Sequence, residues 1–390
     1  MLIIIGLLLT LCLAAIGFYS YSIYGAIALF WDSKPSNLDF HLPLTILKPL
    51  CGLDMDAYAN LATFCRQDYP EYQIIFGVRD EMDPNVAVVR QIINNFPSLD
   101  IQLVISDRII GTNLKVSNLA NMEPLAKYPL LLIADSDTRV KSDYLRQVVQ
   151  PMADPTVGVV TCLYRSLAQG WVATLEAIGV STDYHAGVLV ARKLEGIKFA
   201  LGQTILIRRG VLEAMGGFAS IADYLADDLL LGRLPARLGY KVVLSNYVIE
   251  HVLPIQCFTG FIQRQTRWNR GTRVFRPLGY LGLIFTHGTV ISLLFLLVTQ
   301  GSSLGWVVFC ATWTTRLAMA WIVGAQFLND PIVKKFLWLV PLRDLIGFAL
   351  WCYTFAGNSI NWRGQQFLLS KEGKLLPLQT LSKKSELKPA

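Results

Sequence analysis

LLLIADSDTR, residues 130–139, is the stretch that decides the fold. An apolar run of strand length stops at Asp135 and Asp137, two aspartates one residue apart. Short continuous apolar runs bounded in this way read as strands buried on both faces. A buried strand that aims two like charges at one place needs a reason, because each carboxylate disfavours ionisation of the other. A metal ion, a network of positive partners, or plain exposure at the strand tip would each supply one.

The same pattern repeats to either side. LTILKP (44–49), YQIIFGVRD (72–80), IQLVIS (101–106) and VGVVTCLY (157–164) read as strands. DPNVAVVRQIINNF (83–96), KVSNLANMEPLA (115–126) and SDYLRQVVQPM (142–152) read as helices, the first with Asp83 before Pro84 as a start signal. Strands alternating with helices imply a mainly parallel sheet covered on both faces. In such sheets ligands bind beyond the carboxyl ends of the strands. Asp80 and Asp135 both stand there, at the ends of their strands. Between them GTNLKVSNL (111–119) opens a helix with Lys115 near its start, and no phosphate-loop or dinucleotide glycine signature occurs.

Beyond residue 163 the text changes. A helical stretch from about 170 to 192 precedes the strand QTILIRR (203–209), with GQT at 202–204. A helix beginning near Ala226 carries Asp227 and Asp228 in its first turn, and KVVLSN (241–246) is a last strand. FIQRQTRWNRGTRVF (261–275) then places Arg264, Arg267, Arg270 and Arg273 around Trp268.

Composition frames this region. The chain has 390 residues, 53% of them hydrophobic and 16% charged, well under the roughly 25% charged of soluble domains. The deficit is local: residues 2–31 and 277–315 contain no Lys, Arg, Asp or Glu. The first run exceeds the roughly 20 residues a membrane span needs and lacks a signal peptide's basic start, so it reads as an uncleaved anchor over 1–32. Apolar segments near 281–299, 303–325 and 336–356 give two or three further crossings within 277–358. Arg316, and Arg343 with Asp344, fall inside them. Charges at that depth face a protein interior or an aqueous cavity, although PLRD (341–344) also suits an interfacial break. Seven scattered cysteines without metal spacing place residues 40–275 in a reducing compartment, the cytosol. Of the net charge of +7, much lies in a basic tail over 359–390, at Lys371, Lys374, Lys383, Lys384 and Lys388. That tail suits either anionic lipid headgroups or plain solvation.

Carboxylates and arginines gathered at one cleft suit a substrate bearing both phosphate and a divalent cation. Mg²⁺ or Mn²⁺ bridges one or two carboxylates to diphosphate oxygens. Arginine forks match phosphate oxygens in pairs. Each motif also has a plainer use: acids in a first turn stabilise the helix dipole, and arginines before a span follow the positive-inside trend.

Taken in order, these motifs resemble the ceramide glucosyltransferases, a family of membrane-anchored inverting glycosyltransferases that includes bacterial hopanoid glycosyltransferase relatives. The likeness lies in Asp80 of VRDEMDP, Asp135 of ADSDTR, Asp228 of LADDLLL, and RQTRW from Arg264 to Trp268. LKPLCGLD, DYPEYQIIFGVRD, GTNLKVSNL and GWVATLE add to it, over roughly 45–275, with weaker likeness through PLRD and NWRG. The resemblance implies an α/β fold of the GT-A nucleotide-diphospho-sugar transferase type, with transmembrane helices at both ends. It implies that Asp80 and Lys115 contact the donor, a UDP-sugar, and that Asp135 and Asp137 hold Mg²⁺ or Mn²⁺. Asp228, with Asp227 beside it, would be the general base. Gly202 and Gln203 would lie under the sugar, and Arg264, Arg267 and Trp268 would hold the diphosphate and line the acceptor entrance. Some relatives carry a lone Asp at the metal motif; the second carboxylate here strengthens the site. Tyr184-His185 could position an acceptor hydroxyl or be ordinary helix residues, and His251 reads as structural.

Three or four spans are thin material for a polymer channel, so a membrane lipid is the expected acceptor and nucleic acid is not an expected partner. Glucose and N-acetylglucosamine both remain open as the sugar, and ceramide, a hopanoid polyol or a diacylglycerol as the lipid. The expected location is an integral membrane protein with a cytosolic catalytic domain, at the plasma membrane in a bacterium. A small polysaccharide synthase and a non-catalytic nucleotide-sugar-binding membrane protein are the rival readings.

Overall fold

The computed structural model describes residues 1–31 and 40–378; Lys383, Lys384 and Lys388 of the basic tail lie outside the described residues. The chain divides into two compact units. The first holds Ser33–Tyr164 and Ile197–Pro254; the second holds Met1–Asp32, Arg165–Gly196 and Ile255–Ala390.

In the first unit, eight strands of the described residues form one sheet. They are β1 (Leu44–Pro49), β2 (Tyr72–Val78), β3 (Asp100–Ile105), β4 (Leu130–Ala134), β5 (Thr138–Arg139), β6 (Val157–Leu167), β7 (Thr204–Arg208) and β8 (Lys241–Val252). Their order is β3-β2-β1-β4-β7-β6-β8-β5. The half from β3 to β4 is parallel, with Ile46 of β1 level with Ile74 on one side and Leu132 on the other. Every residue of β1, β2 and β4 is buried, as continuous apolar runs require of strands covered on both faces. β7 enters antiparallel between β4 and β6. The Leu114–Met122 helix lies against β2 because Gly77 has no side chain: a Cβ there would collide with Asn118 and Met122. Asn118 Nδ2 donates to the Gly77 carbonyl at 2.7 Å and fixes that contact.

The second unit is helical. Three of its described helices are long and apolar enough to cross a membrane: Leu2–Phe30, Ser303–Phe327 and Pro331–Ala356. Pro277–Thr286 and Gly288–Val298, bent by 57°, make a fourth if the pair counts as one span. Arg316 is 1% exposed and is not left alone. Its guanidinium pairs with Asp344 at 2.7 Å, with Asp183, and with Thr182 Oγ1 at 3.1 Å. The charges inside the spans therefore face a protein interior, one of the two readings of the sequence.

Residues 165–196 cluster with these helices, across the boundary that the sequence set at 275. The Trp171–Gly179 helix buries every residue after Trp171, Glu176 included, and packs on the helix Val340–Tyr353. Nine residues are too short to register as a membrane-length apolar run, so hydropathy gave no sign of it. After the last span the chain does not trail off. β9 (Ser359–Trp362), β10 (Gln365–Leu369) and β11 (Leu375–Pro377) form an antiparallel sheet. The β9–β10 hairpin turns on Arg363 and Gly364, both at positive φ, as two-residue hairpins demand.

Candidate active site

Asp135 begins where β4 ends. Its N–H donates to the Gln203 carbonyl at 3.1 Å, and its own carbonyl accepts from Lys48 Nζ at 2.9 Å. Lys48 is fully buried in β1, with its ammonium 3.7 Å from the centre of the Phe64 ring. A lysine inside a wholly buried strand is costly unless paired. Burial pulls it down to about 7 against the opposing pull of Asp135 and Asp137. Gln203 closes the turn through its side chain, which accepts from Thr138 Oγ1 at 2.8 Å.

Four carboxylates gather around this turn. Lys115 Nζ lies 2.6 Å from Asp135 Oδ1 and 3.5 Å from Asp227 Oδ2. Asn113 caps the helix that carries Lys115, accepting from Lys115 N and Val116 N; its Nδ2 donates to the Tyr224 carbonyl at 2.8 Å. So the N-terminus of one helix is tied to the loop that opens the next, Asp227–Arg237. Burial works to lower the Lys115 ammonium, and Asp135 and Asp227 outweigh it and hold it above its ordinary value. Burial, with Asp137 and Asp227 adding, keeps the Asp135 carboxyl above its ordinary value despite Lys115.

Asp137 differs. Burial would raise it, but His251, Lys48 and Lys115 hold it below the usual range. His251 Nε2 is 3.2 Å from Asp137 Oδ2, while Asp137 Oδ1 is buried without a hydrogen-bond partner. β5 and β8 place that histidine, pairing Thr138 with His251. Asp228 has another environment again. Its Oδ1 accepts from Leu229 N at 2.7 Å, and its Oδ2 faces Gly202, where a Cβ would come within 2.9 Å. Burial and the neighbouring Asp227 push the Asp228 carboxyl up to about 6.

The fold thus brings together Lys115, Asp135, Asp137, Gly202, Gln203, Asp227 and Asp228. Asp80 follows β2 at the same sheet edge, exposed, its Oδ1 accepting the Met82 N–H at 2.9 Å. Arg264, Arg267 and Trp268 lie in the second unit, on the helix Phe258–Phe275. There Arg264 pairs with Glu176 at 3.4 Å, Arg267 lies over the Trp362 ring, and Trp268 is exposed. Sequence reasoning missed Lys48, Asn113 and Thr138, and read His251 as structural. The lysine inside LTILKP was the available signal; the pairing of His251 with Asp137 depends on a strand register that has none.

For a divalent cation the residues fit. Two carboxylates stand one residue apart, one oxygen of Asp137 is buried without a partner, and the four acids outnumber the two lysines. Among the described residues no three His, Cys, Asp or Glu side chains form a complete metal cage.

Comparison with known proteins agrees with this geometry. The model of glycosyltransferase family 21 matches residues 7–375. Ceramide glucosyltransferase 3 of Caenorhabditis elegans is 25% identical over 389 residues, covering 96% of this chain and 82% of the relative. Ceramide glucosyltransferase 1 of the same organism is 25% identical over 351 residues, covering 85% and 72%. A mannosyltransferase of Pyrobaculum calidifontis, solved in complex with GDP-Man and Mn²⁺, superposes with a TM-score of 0.51 at 17% identity, covering 89% of this chain and 97% of that one. That likeness establishes the GT-A fold. With a family match over nearly the whole chain, the protein is a glycosyltransferase and belongs to glycosyltransferase family 21.

Proposed function

We propose that the protein transfers one sugar from a UDP-sugar, carrying glucose or N-acetylglucosamine, to a lipid hydroxyl at the cytosolic membrane face, with inversion at the anomeric carbon. The observation that carries this reading is Asp228, a buried carboxylate raised to about 6 and set against Gly202, in space that a side chain there would fill. A general base works best with a pKa near the operating pH and within about 3 Å of the proton it takes. Asp228 accepts the proton of the acceptor hydroxyl as that oxygen attacks. Asp227, held by Lys115, keeps the Asp228 pKa up.

Asp135 and Asp137 would hold Mg²⁺ or Mn²⁺, which supplies Lewis-acid stabilisation of the charge that builds on the departing UDP. Lys48 and His251 fix the two ligands from behind, one at the Asp135 carbonyl and one at Asp137 Oδ2. Lys115 and Asp80 bind the donor, and Gln203 shapes the floor beneath the sugar with Gly202. Arg264 and Arg267 hold the diphosphate. The relatives named for ceramide favour a sphingoid acceptor, and a hopanoid polyol or diacylglycerol has the same hydroxyl chemistry. Three spans, or four with the bent pair, are few for a polymer channel, which favours single transfer.

The test uses the purified full chain with UDP-glucose and UDP-N-acetylglucosamine, Mn²⁺ or Mg²⁺, and ceramide, hopanoid polyol or diacylglycerol in vesicles. A glycolipid formed by the wild type and reduced at least ~100-fold by Asp228→Asn is expected, the scale on which a lost general base acts. Transfer by Asp228→Asn at the wild-type rate would remove the base assignment, and a long saccharide product would replace single transfer by polymerisation.

A further inference from the structure

Arg343 lies within the apolar helix Pro331–Ala356 and is 6% exposed. A buried guanidinium is costly without a counter-charge, and a charge at membrane depth is retained for a use. Arg316 meets that demand with Asp344 and Asp183. Arg343 does not: among the described residues it makes no ion pair. Its Nη2 donates at 3.2 Å to Oε1 of Gln265, a neutral amide, while its Nε and Nη1 are buried without a partner. Asp344, next to it in sequence, is already committed to Arg316.

One other carboxylate stands close by. Arg343 packs on Gly179, at the end of the helix Trp171–Gly179, where a Cβ would collide with its Nε. Glu176 lies three residues earlier on that helix. Positions three apart are neighbours on a helix surface, with Cβ atoms about 5–6 Å from each other. Glu176 is wholly buried, 3.4 Å from Nη1 of Arg264, and Gln256 donates to its other oxygen. Arg264 in turn precedes Gln265, the residue that Arg343 holds. Val172, Phe261 and Leu350 pack the three helices concerned, Trp171–Gly179, Phe258–Phe275 and Val340–Tyr353, into one apolar cluster. Two guanidinium groups and one carboxylate thus share a small interior, and only one of the two has the carboxylate.

Paired one to one with Glu176, Arg264 brings no net charge to a phosphate. It brings one only when another cation takes Glu176. We infer that Glu176 is a counter-ion shared by two arginines: Arg264 holds it in this structure, and Arg343 takes it when a diphosphate draws Arg264 away. The exchange keeps every buried charge compensated. The diphosphate satisfies Arg264, Arg343 satisfies Glu176, and the partnerless N–H groups of Arg343 gain an acceptor. Arg343 touches no substrate and is a positioning residue, acting through Glu176 on Arg264. The inference rests on the diphosphate role proposed above for Arg264.

The full chain is placed in phosphatidylcholine nanodiscs as wild type, Arg343→Met, Arg343→Lys, Glu176→Gln and the double variant Arg343→Met with Glu176→Gln. UDP and UMP are titrated calorimetrically with Mg²⁺ present. Arg343→Met leaves Glu176 no second cation, so UDP binding is expected to weaken about tenfold, within the usual range of coupling between two sites, and UMP binding to weaken less. Arg343→Lys recovers part of the loss. Glu176→Gln releases Arg264 without any exchange: alone it tightens UDP binding, and in the double variant it removes the defect of Arg343→Met. A residue that only packs the helices would leave that defect in place. A double variant as weak as Arg343→Met, or unchanged UDP binding in Arg343→Met, overturns the exchange. If Arg343→Met does not fold, Glu176→Gln decides alone, and its failure to tighten UDP binding overturns the exchange. Arg264→Met runs in parallel. Wild-type UDP affinity in that variant removes Arg264 from the diphosphate and defeats that part of the proposed function, whereas weakened binding there beside unchanged binding in Arg343→Met defeats the exchange alone.

Discussion

Asp228 occupies space that any other residue at position 202 would fill, and it shares its first helical turn with a second acid. A carboxyl held at about 6 is a base only above that pH. The rate kcat/KM is therefore expected to fall about tenfold per unit as the pH drops below about 6, and to level off above it. Asp227→Asn removes the like charge beside it, so the acid limb moves to lower pH even where the rate itself declines. A pH profile of both proteins checks this, and an unmoved limb would assign the titration to another group. The acids themselves were legible in the sequence because a charge at the end of a buried strand contradicts its surroundings. Lys48 contradicted them equally, inside LTILKP, but nothing in the sequence says which carbonyl a buried ammonium will find. His251 was less legible still: its partner is fixed by the pairing of β5 with β8, and β5 is only two residues long.

At the scale of elements, the parallel half of the sheet was readable strand by strand, since burial on both faces writes a continuous apolar run. β7 was readable as a strand but not as the antiparallel intruder between β4 and β6, because direction leaves no periodicity. The same limit hid the C-terminal sheet, whose short strands sit among lysines and polar residues and looked like a tail. The helices of the second unit carry a different device. Arg316 joins Asp344 of one helix to Asp183 and Thr182 of another segment, and Thr289 donates to Asp344 from a third. Breaking a buried pair from one side leaves an uncompensated charge and costs about 3–5 kcal/mol, whereas removing both partners costs much less. Arg316→Met and Asp344→Leu are each expected to lower the unfolding midpoint of the detergent-solubilised protein sharply. The double variant should lie well above the sum of the two losses. Additive losses would mean that Arg316 gains little from Asp344.

At the scale of the molecule, the chain passes from one unit to the other between residues 31 and 40 and at residues 164–165, 196–197 and 254–255. The sheet unit is therefore interrupted by a segment belonging to the membrane-type helices, which composition alone assigned to the soluble region. The proposed cytosolic placement of the sheet unit makes a direct prediction for the cysteines. Cys51 and Cys257 are exposed, and Cys65 and Cys162 are buried. A membrane-impermeant maleimide is expected to spare single-cysteine variants retaining Cys51 or Cys257 in intact cells and to label both after permeabilisation. Labelling of Cys51 without permeabilisation would place the sheet unit on the opposite side.

The pairing of Arg267 with Trp362 has a consequence in time. The ribosome finishes the whole sheet unit and the arginine helix before either of the last two long apolar helices exists, and Trp362 and Arg363 follow both. A nascent or prematurely terminated chain holds every carboxylate of the sheet edge and both arginines of RQTRW, yet lacks the Asn361, Trp362, Arg363 and Gly364 that face those arginines. Formation of that contact thus reports that the last helices have been made, and a stop codon before Ser359 removes it without touching either motif.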